Sequence, residues 1–591
     1  MKKRYKNIGE FIKFLDSIGE LKRIKEPVSP IIEISKFTDV ESKRPDGGKA
    51  LLFENVVDNG KKSFPVATNL FGSERRMAFA LGLERLADAG EGINSLIQMT
   101  PPKSWREKIG TFFKLLPLAK IMPETVSYAP CQEVVKTGDD IDLSEIPVLK
   151  CWPHDGGRFV TLPLVFTKSP VDGKGNLGMY RLQIYDKKTT GMHWHVHKDG
   201  SHYFNEYAAR KERMPVAVAI GADPSVIYAA TAPMPRGVDE LLLAGFFRGD
   251  GVKMVKCKTV DLKVPAEAEF VLEGYVDCDE RRLEGPFGDH TGYYSLPDMY
   301  PVFHLTALTR KREPVYCATL VGPPPMEDCY MAKATERIFL PLIRAVLPEI
   351  VDYFLPWEGV FHNIVIVSLD KEFPAHAQKL MGAMWGQGQM SFCKAIVVVD
   401  KTVKPSDLRK VWDLFANSFD PETDITHSYG VLDALDHSAQ QAFSGEKIGI
   451  DLTSRIAGEP PRETSALRQP TPAEEDAVEK WLSENVEGVE SVEFKPKFLA
   501  ISLHKNGRRG RDILEKLAQN ADFKKFFRAV ALFDTEIDIA ENAKIMWKVF
   551  NNTDPKRDIL ISERTIFADA CKKNPADGYT REWPDDLSFD K

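Results

Sequence analysis

The sequence of 591 residues lacks any uninterrupted apolar run of about 18 residues, so no segment of it reads as a membrane-spanning helix. It also lacks a basic excess. Lys and Arg number 79 against 86 Asp and Glu, and a formal charge of −7 argues against nucleic acid as the main partner. Its short basic runs, Lys2-Lys3-Arg4, Arg281-Arg282 and Arg508-Arg509, read as solvated surface, the middle one set apart by its place near Glu284. Cysteine is sparse: eight residues are scattered with no CxxC pair. That excludes a zinc ribbon and a disulfide framework, and it fits reduced thiols in a cytoplasmic protein. The first twenty residues lack a continuous apolar core, so no signal peptide is expected. Instead Ile8, Phe11, Ile12, Leu15 and Ile18 recur at helical spacing and predict an amphipathic helix, which leaves peripheral membrane contact open.

What is present is the composition of a soluble globular enzyme, 43% apolar and 28% charged, on a chain too long for one core. Residues 1–124 mix helical stretches with strands such as Ala50–Glu54. Residues 125–329 carry short β-rich runs, among them 160–166, 181–185, 216–220 and 304–308, separated by Gly, Asp and Pro turns; they predict a barrel-like β domain. A helix over Val238–Phe247 interrupts them. From 330 strands alternate with helices, which predicts a layered α/β domain.

That last region repeats itself at an offset of 134: Val367-Ser368-Leu369 matches Ile501-Ser502-Leu503, Asp400 matches Asp534, and Asp420-Pro421 matches Asp554-Pro555. Asp424 and Asp558 keep the offset. A duplicated α/β unit is expected, 330–455 and 491–591, joined by a Pro-, Glu- and Ser-rich linker over 456–490. If one copy pairs with itself across a two-fold axis, the other supplies a partner within the chain.

Chemistry concentrates between Asn176 and His290. Gly173-Lys-Gly175-Asn-Leu-Gly178 fits GxGxxG, but it lies between two β-like runs with no helix after it, so a hairpin turn is predicted. In Met192-His-Trp-His-Val-His197 an extended backbone puts His193, His195 and His197 on one face. Such a face either lines solvent or offers imidazoles to a metal. Adding Asn176 and Glu240 makes a set suited to a hard or borderline ion such as Mn²⁺ rather than Zn²⁺. In Glu284-Gly-Pro-Phe-Gly-Asp289-His290 two Gly and a Pro force a turn with a carboxylate at each end. Two close carboxylates near Arg181 are expected to differ in pKa, one ionised and the other able to hold a proton.

As an ordered set, NLGMYRLQIYDKKTTGMHWHVHKDG, GVDELLLAGFFRG and EGPFGDHTGYY resemble the UbiD family of prenylated-flavin-dependent decarboxylases over most of residues 1–455. The resemblance implies an N-terminal α/β domain, a central split β-barrel that binds flavin, and a C-terminal α/β domain used in oligomerisation. It implies prenylated FMN with Mn²⁺, and K⁺ as a further candidate ion. Asn176, His193 and Glu240 would be metal ligands; Met179, Tyr180, Arg181, His193, Trp194, His195, Lys198, Asp199 and Lys394 would contact the cofactor. Arg181, Glu284 and Asp289 would be the catalytic trio, with Asp289 the proton donor.

The implied reaction is non-oxidative decarboxylation of a small aromatic acid, with a flavin prenyltransferase supplying the cofactor and a homo-oligomer as the working form. The length beyond 455 and Arg44-Pro-Asp-Gly-Gly-Lys-Ala-Leu-Leu-Phe53 resemble the long subgroup associated with menaquinone formation. A ubiquinone precursor, another aromatic acid or an acrylic acid stay open as substrates. The competing classes are a split-barrel flavin oxidoreductase dependent on NAD(P)H and a non-catalytic flavin carrier.

Overall fold

The computed structural model describes residues 5–90, 120–195, 199–234, 237–463 and 467–590. His197 and Lys198, and the Pro-containing run 101–117, lie outside them. Two compact units form: one from residues up to Ile338 together with the segment from Asp585 onward, the other from Phe339–Pro584.

In the first unit the amphipathic helix is Ile8–Ser17, capped by the Asn7 side chain and burying Ile8, Phe11, Ile12 and Leu15. It stands beside a four-stranded sheet ordered Leu21–Ile24, Ala50–Phe53, Val66–Thr68 and Tyr316–Cys317, so the chain comes back from beyond residue 310 to complete the N-terminal sheet. The larger sheet runs Gly175–Gly178, Pro163–Lys168, Met214–Ile220, Phe270–Glu284, Asp298–Arg310 and Thr189–Gly191, antiparallel throughout, with Val134–Thr137 pairing on Asp298–Arg310.

Its inner face is the main core, where alternate residues such as Val216, Val218 and Ile220 meet Leu272, Val276, Phe303 and Leu305. The barrel expected from the resemblance does not close among the described residues. The end strands Gly175–Gly178 and Thr189–Gly191 stay unpaired with each other. The long Phe270–Glu284 strand instead bends at register shifts after Glu273 and Val276. The GxGxxG stretch is the turn and return strand of the hairpin Pro163–Lys168 to Gly175–Gly178.

The second unit holds two five-stranded sheets of one design. In the first the order is Ile350–Phe354, Ile364–Leu369, Ala395–Asp400, Ser444–Asp451, Ile425–Val431; in the second it is Val489–Lys495, Phe498–Leu503, Ala529–Phe533, Thr565–Asp569, Ile559–Ser562. Both read antiparallel, parallel, parallel, antiparallel. Lys371 and Lys505, one offset apart, both carry ion pairs, with partners that do not share the offset: Lys371 with Glu459 at 2.7 Å, Lys505 with Asp569 at 2.9 Å and Asp577 at 2.8 Å.

The two sheets share an interface. Ile364, Ile366, Ala395 and Val397 of the first pack in one cluster with Ile566, Ala529, Phe550 and Ile559 of the second. Asn363 Nδ2 donates to Asn551 Oδ1 at 3.0 Å, while Lys497 Nζ bonds Asn417 Oδ1. Asn363 and Lys497 are one offset apart, and so are Asn417 and Asn551. Position i of one copy therefore meets j of the other, and j meets i, which is how a two-fold dimer interface reads.

The expected linker contains a helix, Pro472–Asn485. Thr471 and Glu474 form its capping box, and Val478 and Leu482 are buried on the second sheet's core.

Candidate active site

The first unit brings Arg181, Glu284 and Asp289 together. The strand Phe270–Glu284 delivers Glu284 at its end; the ribbon of Phe287–Gly288 on Tyr294–Ser295 then returns the chain and sets Asp289 just beyond its first strand. Between them Arg181 reaches out after Gly175–Gly178. Its Nε donates to Glu284 Oε1 at 2.9 Å, one terminal nitrogen to Asp289 Oδ2 at 2.5 Å, and the other to Ser295 Oγ at 2.9 Å. Phe287 lies under the guanidinium, 4.4 Å from its carbon. Behind Glu284, His193 Nδ1 stands 3.0 Å from Oε1, and the ring rests on Tyr300 with centroids 4.2 Å apart.

Charge and burial oppose each other here. Burial pushes the Glu284 carboxyl up, but Arg181 and His193 outweigh it and hold it below its ordinary value. Asp289 is likewise pushed up by burial and pulled further down, by its hydrogen bond from His290 and by Arg181. For Arg181 burial favours the neutral form and the two carboxylates reverse that. His193 is pushed down by burial and Arg181 against the pull of Glu284, so it stays neutral. The expected split of one charged and one protonated carboxyl is not found in the free site: a single guanidinium touches both acids, so both ionise.

The turn is pinned from outside. Gly285 N–H donates to Gln183 Oε1 at 2.7 Å, and Gly156 N–H to Pro286 O at 2.7 Å. A Cβ on Gly156 would stand 2.1 Å from the Gly285 carbonyl oxygen. Gly156→Ala is therefore expected to push the Glu284–Asp289 turn off its seat, costing about 1–3 kcal/mol of stability and lowering turnover more than cofactor content. Thermal melts beside a cofactor spectrum check this; wild-type turnover in the variant would contradict it.

Several of the other expected site residues form a neighbouring group. Asn176 and Glu240 are adjacent, Glu240 Oε2 accepting the Leu177 N–H at 2.9 Å from the first turn of the helix Glu240–Arg248. Burial raises the Glu240 carboxyl to about 7, and the nearby acids Asp239 and Asp199 add to that. Tyr180 is buried with its hydroxyl on Asn176, and Met179 is half-buried between them in sequence and Arg181. His195 Nε2 is 2.5 Å from His193 Nε2, so the two imidazoles do turn to one side, although no strand covers residues 192–195.

Trp194 is buried against Phe204, and its Nε1–H finds no acceptor among the described residues. Asp199 opens the helix Asp199–Arg210. Lys394 belongs to the second unit, where its ammonium bonds Ser438 Oγ at 2.8 Å and Asp436 at 3.0 Å. Among the described residues no three His, Cys, Asp or Glu side chains converge on one point. Residues that sequence reasoning missed are Ser295, Gln183, Tyr300 and Phe287. Of these, Gln183 and Phe287 lay inside a recognised motif.

Three family descriptions match this chain: the 3-octaprenyl-4-hydroxybenzoate carboxy-lyase N-terminal domain over residues 12–93, its Rift-related domain over 124–324, and its C-terminal domain over 329–452 and 483–576. The chain belongs to the UbiD family. It is a carboxy-lyase of that class. A UbiD relative from Archaeoglobus fulgidus, described only as uncharacterized, is 48% identical over 76% of this chain and 92% of its own length. A Helicobacter pylori relative, described the same way, is 37% identical over 97% of this chain and 93% of its own.

Among solved UbiD-like structures, vanillic acid decarboxylase of Sedimentibacter hydroxybenzoicus superposes with a TM-score of 0.69 at 27% identity, over 81% of this chain and 100% of that one. The UbiD-class enzyme HmfF of Pelotomaculum thermopropionicum, in complex with prenylated FMN, gives 0.64 at 26%, over 80% and 98%.

Proposed function

We propose that the protein removes CO₂ from an aromatic carboxylic acid without net oxidation, using prenylated FMN and a divalent metal, with Asp289 returning the proton. The observation that carries this is one buried guanidinium shared by two carboxylates, backed by a neutral His193. When bound, the cofactor supplies the electron sink for the carbon that loses CO₂, which no side chain offers.

The chain's own residues do the rest. Arg181 is the cation available to a substrate carboxylate. Glu284, held by His193, keeps the guanidinium in place. Asp289 is ionised in the free site, so it must gain a proton before it gives one. An incoming carboxylate is a third negative charge on one guanidinium; it weakens the hold on Asp289 and raises its proton affinity. His290 Nδ1, 3.0 Å from Asp289 Oδ1, stands where that proton would be passed.

The residues present fit a phosphate-bearing flavin and a cation. The buried Trp194 Nε1–H is an unmatched donor among the described residues. Glu240 lies beside Asn176, with Asp239 and Asp199 near enough to raise its carboxyl, and Asn176, Glu240 and His193 are the residues that would hold a Mn²⁺ ion. Lys394 and Lys198 are left as further candidates for cofactor contact, and K⁺ as a second ion.

Support for aromatic acids comes from vanillic acid decarboxylase among the solved relatives, and support for the cofactor from HmfF bound to prenylated FMN. Within that class we favour a quinone precursor of the menaquinone or ubiquinone type, on the 44–53 stretch and the extended length. The oxidoreductase alternative loses ground because its GxGxxG is a hairpin turn. The two copies in the second unit already bury one two-fold face against each other, so a homo-oligomer would be built through other surfaces.

Co-expression with a flavin prenyltransferase, followed by mass and absorption spectra of the bound cofactor and a screen of aromatic acids for CO₂ release, tests this reading. Prenylated FMN and CO₂ from at least one acid are expected; plain FMN with NADH oxidation would overturn it. Glu240→Gln should lower Mn²⁺ retention by about 10-fold or more, measured as metal content of purified protein.

A further inference from the structure

The turn that carries Asp289 is closed by backbone bonds within it. Asp289 N–H donates to Tyr293 O at 3.0 Å and Gly292 N–H to Asp289 O at 3.0 Å. Its outer edge is met by a distant piece of chain. After Ile338 the sequence runs through the second unit and rejoins the first at Asp585. There Tyr294 N–H donates to Asp585 O at 3.0 Å, Leu587 N–H to Gly292 O at 3.0 Å, and Tyr293 pairs antiparallel with Asp586. The segment thus meets the outer edge of the turn through one antiparallel bridge flanked by two backbone hydrogen bonds.

Side chains fix that segment in place. Leu587 is 7% exposed and joins the main core. The ring of Phe589 stacks on Trp152 with centroids 4.3 Å apart at 21°. Trp152 in turn donates its backbone N–H to Asp155 Oδ2 at 2.8 Å, and the other oxygen of Asp155 accepts Gly288 N–H at 2.8 Å. Gly288 is caught between these groups: a Cβ there would stand 2.2 Å from Trp152 Cδ1 and 2.9 Å from Leu587 Cδ2. Asp289 is the next residue.

We propose that Asp585–Phe589 is a positioning clasp for the Asp289 turn. It presses Gly288 against Trp152 and Asp155 and so sets the reach of the Asp289 carboxylate. The clasp touches neither Arg181 nor Glu284 through any bond described above, so its effect falls on proton delivery and not on the holding of the substrate carboxylate. It rests on the reading of Asp289 as proton donor. A displacement of about 1 Å at a reacting group is enough to cost about 10²-fold in rate.

The test uses the full-length holoenzyme carrying Leu587→Gly with Phe589→Ala, and, as a milder change, Phe589→Leu alone. Hydrogen exchange at the Asp289 and Tyr294 amides is read beside kcat, KM, cofactor content and the solvent deuterium isotope effect on kcat. The clasp predicts faster exchange at those two amides with unchanged exchange in Phe270–Leu283. It also predicts kcat lowered by about 10–100-fold, KM within about twofold, and a larger isotope effect because protonation becomes slower. Phe589→Tyr, which keeps the stacked ring, should restore kcat.

Unchanged exchange at both amides in the double variant overturns the clasp. So does a loss of kcat that Phe589→Tyr shares. A wild-type enzyme that releases CO₂ while Asp289→Asn does so equally well would instead overturn the proton-donor reading, and the exchange result would still decide the clasp.

Discussion

Asp289→Asn lowers kcat for CO₂ release by about 10²–10⁴-fold, the usual contribution of a positioned acid, and leaves the cofactor bound. The substitution keeps the shape of the side chain and one acceptor oxygen, enough for one of the two bonds now made on separate oxygens, from Arg181 to Oδ2 at 2.5 Å and from the His290 amide to Oδ1 at 2.8 Å. It removes the one oxygen that can carry a proton to the product carbon. Since Arg181 also holds Glu284 at 2.9 Å, the guanidinium stays in place and substrate binding changes little. Asp289→Glu should retain part of the activity with altered reach. Cofactor absorbance and CO₂ release on one preparation of each variant check the result; near-wild-type turnover in Asp289→Asn would remove Asp289 from the chemistry.

Arg181→Met is expected to be the most damaging single change, abolishing turnover and destabilising the first unit by about 3–5 kcal/mol. It strips the countercharge from two carboxylates that are both buried, Glu284 at 1% and Asp289 at 9% exposure. The pH dependence weakens with it. In the wild type both acids sit below their unfolded values, so their contribution to stability is present above about pH 4.5 and fades as pH falls through the depressed folded values. In the variant burial is opposed only by His193 at Glu284 and by His290 at Asp289, so both folded values rise from their depressed positions. The variant thus lacks at neutral pH the stability that Arg181 adds in the wild type, and the deficit shrinks as pH falls and the acids protonate. Thermal midpoints at pH 8 and pH 5.5 should show the gap to wild type narrowing with acidification; a constant gap would mean the guanidinium does not hold these groups.

Local pattern made several of these features legible. Helical spacing from Ile8 to Leu15 marked the first helix, and the glycines around Lys174 marked a hairpin. The offset of 134 that joins Asp424 to Asp558 corresponds to two sheets of equal strand order. Arg181, Glu284 and Asp289 were within reach because a two-glycine turn leaves its flanking acids close.

What sequence hid depends on contacts between distant residues. Sheet closure is decided by whether Gly175–Gly178 meets Thr189–Gly191, and no local composition reports that. The helix Pro472–Asn485 hid in a Pro- and Glu-rich stretch, although Thr471-Pro-Ala-Glu474 is a capping signature that could have revealed it. Ionisation of both acids follows from one guanidinium contacting each, which is geometry rather than spacing. Nothing near Asp289 announces Leu587 or Phe589, nearly three hundred residues away.

The central claim, that this site replaces a carboxylate by a proton, is tested most directly by turnover of an accepted aromatic acid in D₂O without added oxidant or NAD(P)H. The account predicts one CO₂ for each product molecule and one deuterium on the carbon that bore the carboxylate, with both lost together in Asp289→Asn. Product without deuterium at that carbon, or CO₂ release that requires oxygen or a nicotinamide, would contradict it.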